Sequence, residues 1–222
     1  MKARRILIVT AVEAERAAVE RGLSAEALAV TTLLVGGVGA AAVAAATAAT
    51  LASSPHEVDI VVSAGIGGVF AKVGGIGDLL VAERIIAADL GADGPEGFQS
   101  VQELGFGTAV YEASPLDGLK AEADGNGGAG LNVVRGDLLT VNTATGTAER
   151  AAWLRERHPA AVGEAMEGYG VAVAAARFGL PVAEVRAVSN LIGPRDRAAW
   201  RIGEALAALT AAAAPIVEGL AS

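Results

Sequence analysis

The chain predicts an α/β fold: a single-domain three-layer α/β/α arrangement with a mixed central sheet. Three observations carry this reading. Short continuous apolar runs rich in Val, Ile and Leu recur along the sequence, as in strands buried on both faces. Ala-rich segments with helical spacing alternate with them, which gives the sheet a parallel core covered on both sides. Glycine turns follow several of the apolar runs. The 222 residues are enough for one sizeable core, and neither a repeat nor a linker divides residues 1–222.

Ile6 to Val9 is the first apolar run and reads as a buried strand. Glu13 to Leu23 has helical spacing, Ala29 to Val35 reads as a second strand, and Gly36-Gly-Val-Gly39 closes it. Ala40 to Ser53 predicts a helix, and Asp59 to Ser63 a third strand followed by a tight turn over Ala64 to Gly68. Gly77 to Ile86 reads as one or two further strands. Residues 89 to 130 are Gly-rich, polar and irregular, with Asp124 to Gly130 as a flexible loop. Leu131 to Val134 and Leu138 to Val141 are expected as strands separated by Arg135-Gly-Asp137. Thr147 to Arg157 predicts a helix, and Ala161 to Phe178 another, broken by Gly168 and Gly170. Val182 to Val188 is the last strand, and Arg197 to Leu220 a closing helix kinked by Pro215.

Composition excludes several functions. With 17 basic and 25 acidic residues the net charge is −8, which argues against nucleic acid and against an anionic membrane surface. The chain has no Cys, hence no disulfide framework, thiol nucleophile or Cys-based metal site. Its two histidines, His56 and His158, lie far apart, so a zinc centre is not expected. The apolar run Gly37 to Ala52 is mostly alanine and too short to span a bilayer. Glu13, Glu15 and Arg16 interrupt the apolar start in place of a signal-peptide cleavage site, so a cytoplasmic protein is expected.

The chemistry concentrates near the end of the chain. Asn190 follows the last strand and stands at its carboxyl mouth, where open α/β sheets bind ligands. Its amide offers two donors and one acceptor. Glu167, expected inside an Ala-rich helix, is costly there unless paired. Its neighbours Ala165, Gly168 and Gly170 are small enough for a ligand to come close, and Met166 reads either as gap-filling core or as pocket wall. Together Asn190 and Glu167 point to a neutral heterocycle on a polyol, that is, a nucleoside. Glu13 and Glu15 fall in the first turn of a helix at the sheet mouth. They read either as complements of the helix dipole or, for one of them, as a general base. Gly36 to Gly39 and Gly65 to Gly68 either permit turns or aim backbone N–H groups at a ligand, and neither makes a dinucleotide fingerprint. Trp200 reads as core or as pocket lining.

Seven segments occur in one family's order and spacing: Ile8-Val-Thr-Ala-Val-Glu-Ala-Glu15, Val35-Gly-Gly-Val-Gly39, Ser63-Ala-Gly-Ile-Gly-Gly-Val-Phe70, Val73-Gly-Gly-Ile-Gly-Asp78, Arg135-Gly-Asp137, Ala165-Met-Glu-Gly168 and Val188-Ser-Asn190. Over nearly its whole length the chain resembles the nucleoside phosphorylase and nucleosidase superfamily. Within it, the likeness is to methylthioadenosine/S-adenosylhomocysteine nucleosidases and, more closely, to futalosine hydrolases of the alternative menaquinone pathway, which share the Ser-Asn-x-x-Gly-x-Arg-Asp-x-x-x-Trp tail of residues 189–200. The resemblance implies that Glu15 deprotonates the attacking water. It implies that Met166 packs under the ribose and Glu167 accepts from its hydroxyls. Gly67, Gly68, Leu139 and Thr140 belong with the substrate-binding set, and Val12 and Trp200 with an apolar 5′ pocket. Arg195 is a candidate for the substrate carboxylate, with a structural pairing to Asp196 placed ahead of that role. No metal or organic cofactor is implied. A homodimer or higher homo-oligomer is expected, with Phe98 to Phe106 as a candidate shared edge.

Two positions depart from the adenosine-type enzymes. Asn190 stands where they carry an aspartate, and an amide donating to N7 and a 6-keto oxygen favours a 6-oxopurine. Mispairing there costs about 1–3 kcal/mol. Ile66 replaces a serine near the water, leaving Glu15 and backbone groups to hold it. A carboxylate where phosphorylases need cations for phosphate predicts hydrolysis. Rival readings are another purine or 5′-thio nucleosidase, a nucleoside sensor without turnover, and a dinucleotide-binding protein.

Overall fold

A computed structural model describes residues 4–53, 57–119 and 131–221; His56 and the Asp124 to Gly130 loop lie outside them. The first half of the chain runs β1 (Ile6–Thr10), α1 (Glu13–Arg21), α2 (Ala25–Ala29), β2 (Thr31–Val35), α3 (Ala40–Ser53), β3 (Ile60–Val69) and β4 (Leu79–Ala87). A hairpin of β5 (Gly91–Gly94) and β6 (Gly97–Ser100) follows, then β7 (Val110–Glu112) and β8 (Val133–Thr140). The last part holds α4 (Ala148–Arg157), β9 (Ala161–Ala165), α5 (Gly168–Arg177), β10 (Val182–Leu191), a 3₁₀ turn at Arg197–Ala199 and α6 (Ile202–Ala221).

The mixed sheet is ordered β10-β4-β8-β9-β3-β1-β2, with β7 on β4. A further β10–β3 pairing joins its two arms, so β3, β9, β8, β4 and β10 form a closed ring from which β1 and β2 extend. Alternation along the strands feeds two cores. Ile6 and Ile8 of β1 pack with Ala183, Val185 and Ala187 of β10 beneath α1 and α6. Leu7 and Val9 face the other way, with Val43 of α3 and Val171 and Ala175 of α5. These are the two helical layers over the mixed sheet. By length and mean hydropathy of 1.4, α6 would suffice to cross a membrane. Packing accounts for its composition, since Ala205, Leu209, Ala212, Ile216 and Leu220 are buried in the first core.

Several expected elements change. Ala161–Ala165 is strand β9, parallel to β8 and antiparallel to β3, and α5 begins only at Gly168. Local propensity favours helix in this Ala-rich run, but sheet pairing overrides it. Gly163 is built for that pairing, because a Cβ there would lie 2.4 Å from the Gly68 carbonyl oxygen. Gly65 to Gly68 form no turn; they continue β3 to Val69. Residues 133–140 are one strand passing through Arg135-Gly-Asp137, with a register shift beside Asp137. Part of the irregular 89–130 region forms the β5–β6 hairpin and the edge strand β7. The closing helix starts at Ile202, so Trp200 lies in an extended link, and α6 runs through Pro215.

Helices α3 and α5 approach closely at Gly170, where a Cβ would fall 2.2 Å from the Ala40 carbonyl oxygen. Ala normally outranks Gly inside a helix by about 1 kcal/mol. Here the sign reverses: Gly170→Ala is expected to lower Tm by roughly 2–12 °C, the equivalent of about 1–3 kcal/mol of overpacking. A thermal melt that rises instead would contradict this packing.

Candidate active site

The sheet opens a cavity where β3 changes partners. β1 pairs with β3 as far as Ser63, and β9 joins the same edge only at Gly68. Between them the edge has backbone groups without a strand partner. Glu15, on the first turn of α1, reaches into this gap. Its Oε1 accepts from the Ile66 N–H at 2.9 Å, and its Oε2 from Ala11 at 2.9 Å and Val12 at 3.2 Å. Three backbone donors thus fix a buried carboxylate. Glu13 points outward and pairs with Arg16, so the two glutamates separate into an exposed helix-surface group and a pocket group.

Glu167 immediately precedes α5 and is buried. Its Oε1 accepts from Gly39 N–H at 3.1 Å, so the glycine turn after β2 does aim backbone N–H at a carboxylate. Its Oε2 accepts from Arg186 Nη1 at 3.1 Å. Arg186 lies fully buried on β10. It also donates through Nε to Glu184 at 2.9 Å and through Nη2 to Ser63 at 2.8 Å. Register places Arg186 opposite Gly65, where a Cβ would sit 2.6 Å from Glu15 Oε1 and 2.8 Å from Arg186 Nη1. Gly65 is therefore the space that lets these charges meet. Burial works against the Arg186 charge, but Glu184, Glu167 and Glu15 outweigh it and hold its pKa above the usual arginine value. Burial pushes the Glu184 pKa up, against the pull of Arg186.

Asn190 lies one residue before the end of the β10 pairing, opposite Gly68 after a register shift. Ser189 Oγ donates to its Oδ1 at 2.8 Å, and its Nδ2 donates to the Leu191 carbonyl at 3.0 Å. This orients the amide with a second N–H to spare among the described residues. The missing Gly68 side chain leaves that nitrogen room, since a Cβ there would be 3.1 Å from Nδ2.

Glu15, Glu167 and Asn190 line one cavity of about 310 Å³. Of the residues singled out from sequence, Val12, Glu15, Gly67, Gly68, Met166, Glu167, Asn190, Arg195 and Trp200 all face it. Leu139 and Thr140 do not: Leu139 is buried with Phe70 and Leu154, and Thr140 Oγ1 accepts the Tyr169 N–H at 2.8 Å beneath α5. Their place on the wall is taken by Val141, Ala144 and Thr145. The Arg195–Asp196 clamp does not form either. Asp196 caps the 3₁₀ turn through Ala198 N–H, and Arg195 lines the cavity with no ion pair among the described residues. Sequence reading missed Arg186 and Glu164, although each is a charged residue within an apolar run that becomes a buried strand. Glu164 lies on the cavity wall, where burial raises its pKa against hydrogen bonds from Thr145.

The chain belongs to the phosphorylase superfamily, whose family model matches residues 10–221. A methylthioadenosine/S-adenosylhomocysteine nucleosidase from Colwellia psychrerythraea, solved with adenine, superposes with a TM-score of 0.77 at 19% identity, covering 99% of this chain and 96% of that one. The corresponding Streptococcus pneumoniae nucleosidase gives 0.77 at 18% identity, over 97% and 99%. In sequence, a futalosine hydrolase from Streptomyces coelicolor is 51% identical over 96% of each chain, and one from Acidothermus cellulolyticus 46% identical over 90% and 85%. The chain belongs to the futalosine hydrolase family and is an N-glycosyl hydrolase.

Removing Arg186 would strand two buried carboxylates. Arg186→Met is expected to cost about 3–5 kcal/mol, measured by denaturant unfolding at neutral pH. Adding Glu184→Gln to it should restore part of that loss, because the two side chains share one hydrogen bond. Strict additivity of the two changes would refute the coupling.

Proposed function

We propose that this chain hydrolyses the N-glycosidic bond of futalosine, releasing hypoxanthine and dehypoxanthine futalosine, as a cytoplasmic homo-oligomer serving menaquinone synthesis. The observation that carries the proposal is the Glu15 carboxylate, buried and fixed by backbone N–H groups on the wall it shares with Glu167 and Asn190. Oε1, which accepts from one backbone donor, keeps a lone pair for water. The Ile66 position acts through its backbone, which positions Glu15 without a hydroxyl.

In the reaction the bond from the anomeric carbon to the purine nitrogen breaks, and its electron pair leaves with the base. Asn190 donates toward N7 and O6 as charge develops there, an interaction strengthened in the transition state. Glu167, anchored by Gly39 and Arg186, accepts from the ribose hydroxyls. Water attacks the anomeric carbon, and Glu15 takes its proton. Val12, Val38, Met166 and Trp200 give the cavity the apolar wall that an aromatic 5′ substituent needs. Arg195, without an ion-pair partner among the described residues, meets the substrate carboxylate. The exposed Phe106, at 81% of its surface, supports burial against a second copy. Phe98 is instead engaged within its own chain, edge-on to Trp153.

The test is release of the purine base, hypoxanthine from futalosine and inosine and adenine from aminofutalosine and methylthioadenosine, each with and without phosphate. Release from futalosine that ignores phosphate is expected; a phosphate requirement, or faster cleavage of the 6-amino nucleosides, overturns the proposal. Glu15→Gln is expected to lower kcat by about 10²–10⁴-fold, since it removes the base. Asn190→Asp is expected to shift kcat/KM toward the 6-amino substrate by about tenfold or more.

A further inference from the structure

Asn190, with one amide N–H to spare, can donate toward the N7 and O6 edge of a 6-oxopurine but cannot accept the ring N1–H. A buried donor without an acceptor is costly, so a pocket selective for this base needs a second polar group. The register of the sheet supplies one. Gly68 on β3 is opposed by Asn190 on one side and by Glu164 of β9 on the other. Directly opposed residues leave a sheet on the same face, and neighbouring strands lie about 4.8 Å apart. An amide and a carboxylate therefore stand about 10 Å apart at their backbones, across a residue that has no side chain. Both line the cavity.

The Glu164 carboxylate is itself held in place. Thr145 donates its N–H to Oε1 at 2.7 Å, and its hydroxyl bonds Oε2 at 2.6 Å. Each oxygen retains acceptor capacity. Glu164 makes no ion pair among the described residues, unlike Glu167 and Glu184. A buried carboxylate on a cavity wall, feeling Arg150 but in no ion pair among the described residues, is otherwise unexplained by the reaction.

We propose that Glu164 accepts the N1–H of the 6-oxopurine, so that Glu164 and Asn190 clamp the base from two strands across Gly68. The inference rests on the futalosine hydrolase reading and adds a second specificity residue to it. A 6-aminopurine presents an acceptor at N1, and the clamp then sets acceptor against acceptor.

The experiment is a chemical cycle with futalosine and its N1-methyl derivative, on the wild-type enzyme and on Glu164→Val. The wild type is expected to favour futalosine by about tenfold to a hundredfold in kcat/KM, the usual effect of one buried hydrogen bond. In Glu164→Val this preference should collapse toward one. If Glu164 only supports the Thr145 loop, both substrates lose equally and the ratio is unchanged, which overturns the proposal. Should the variant not fold, hypoxanthine and 1-methylhypoxanthine are compared for binding to the wild type by calorimetry. Tighter binding of hypoxanthine by about tenfold or more supports the proposal, and equal affinity overturns it. That binding measurement also separates the two readings: absence of futalosine cleavage defeats the reaction, not the base clamp.

Discussion

The structure of the site depends on one fully buried guanidinium. Arg186 hydrogen-bonds Glu184, Glu167 and Ser63 and feels Glu15 electrostatically, so four charged side chains gather where burying any one alone would be prohibitive. Glu15 and Glu167 bring carboxylates to the wall of the cavity, while Arg186 and Glu184 lie buried behind them. The wall carboxylates repel a phosphate dianion and favour the positive charge that grows on the sugar as the base departs. Under the proposed roles, the choice of water over phosphate has its electrostatic source in the wall carboxylates themselves. Glu184 shows how tight the arrangement is. A Cβ on Gly168 would lie 2.0 Å from its Oε2, an oxygen with no hydrogen-bond partner among the described residues.

The second constraint is the edge of β3. A strand that kept β1 as its neighbour to the end would have no N–H left at Ile66 for Glu15. Because β9 takes over that edge only at Gly68, a short stretch of β3 unpaired on that edge becomes the wall of a cavity. Glycines at 65, 67 and 68 keep that wall thin. A side chain at Gly65 would strike Glu15, one at Gly67 the Glu164 carbonyl, and one at Gly68 the Ile192 side chain.

Much of this was legible in the sequence, and what was not has physical causes. β1, β2, α3 and β10 follow from apolar periodicity and turn residues, and Glu15, Met166, Glu167 and Asn190, picked out by their match to one family, do line one cavity. β9 was hidden because Ala161–Ala165 carries almost no β-propensity of its own, and only pairing with β8 and β3 makes it a strand. The Gly65 to Gly68 segment reads locally as a turn, and its extension depends on β10 alongside. Thr140 was assigned to the substrate, but it serves the N-terminal end of α5 through Tyr169. Arg186 left a visible mark, a lone arginine among Val185, Ala187 and Val188, which hydrophobic patterning alone counts as a strand and passes over.

Two mechanisms of placement therefore coexist in one pocket. The groups assigned to sugar and water, Glu167 and Glu15, are fixed by a buried ion network and by backbone N–H groups from several segments. A change in one of them disturbs the others, because the charges balance only together. Asn190 is fixed differently, by strand register and by its own neighbours Ser189 and Leu191, outside the Arg186 hydrogen bonds. An amide and a carboxylate of nearly equal volume can exchange at that position without disturbing the buried charges. Under the proposed roles, the groups for sugar and water are tied to the buried charges, while Asn190 at the base is held apart from them.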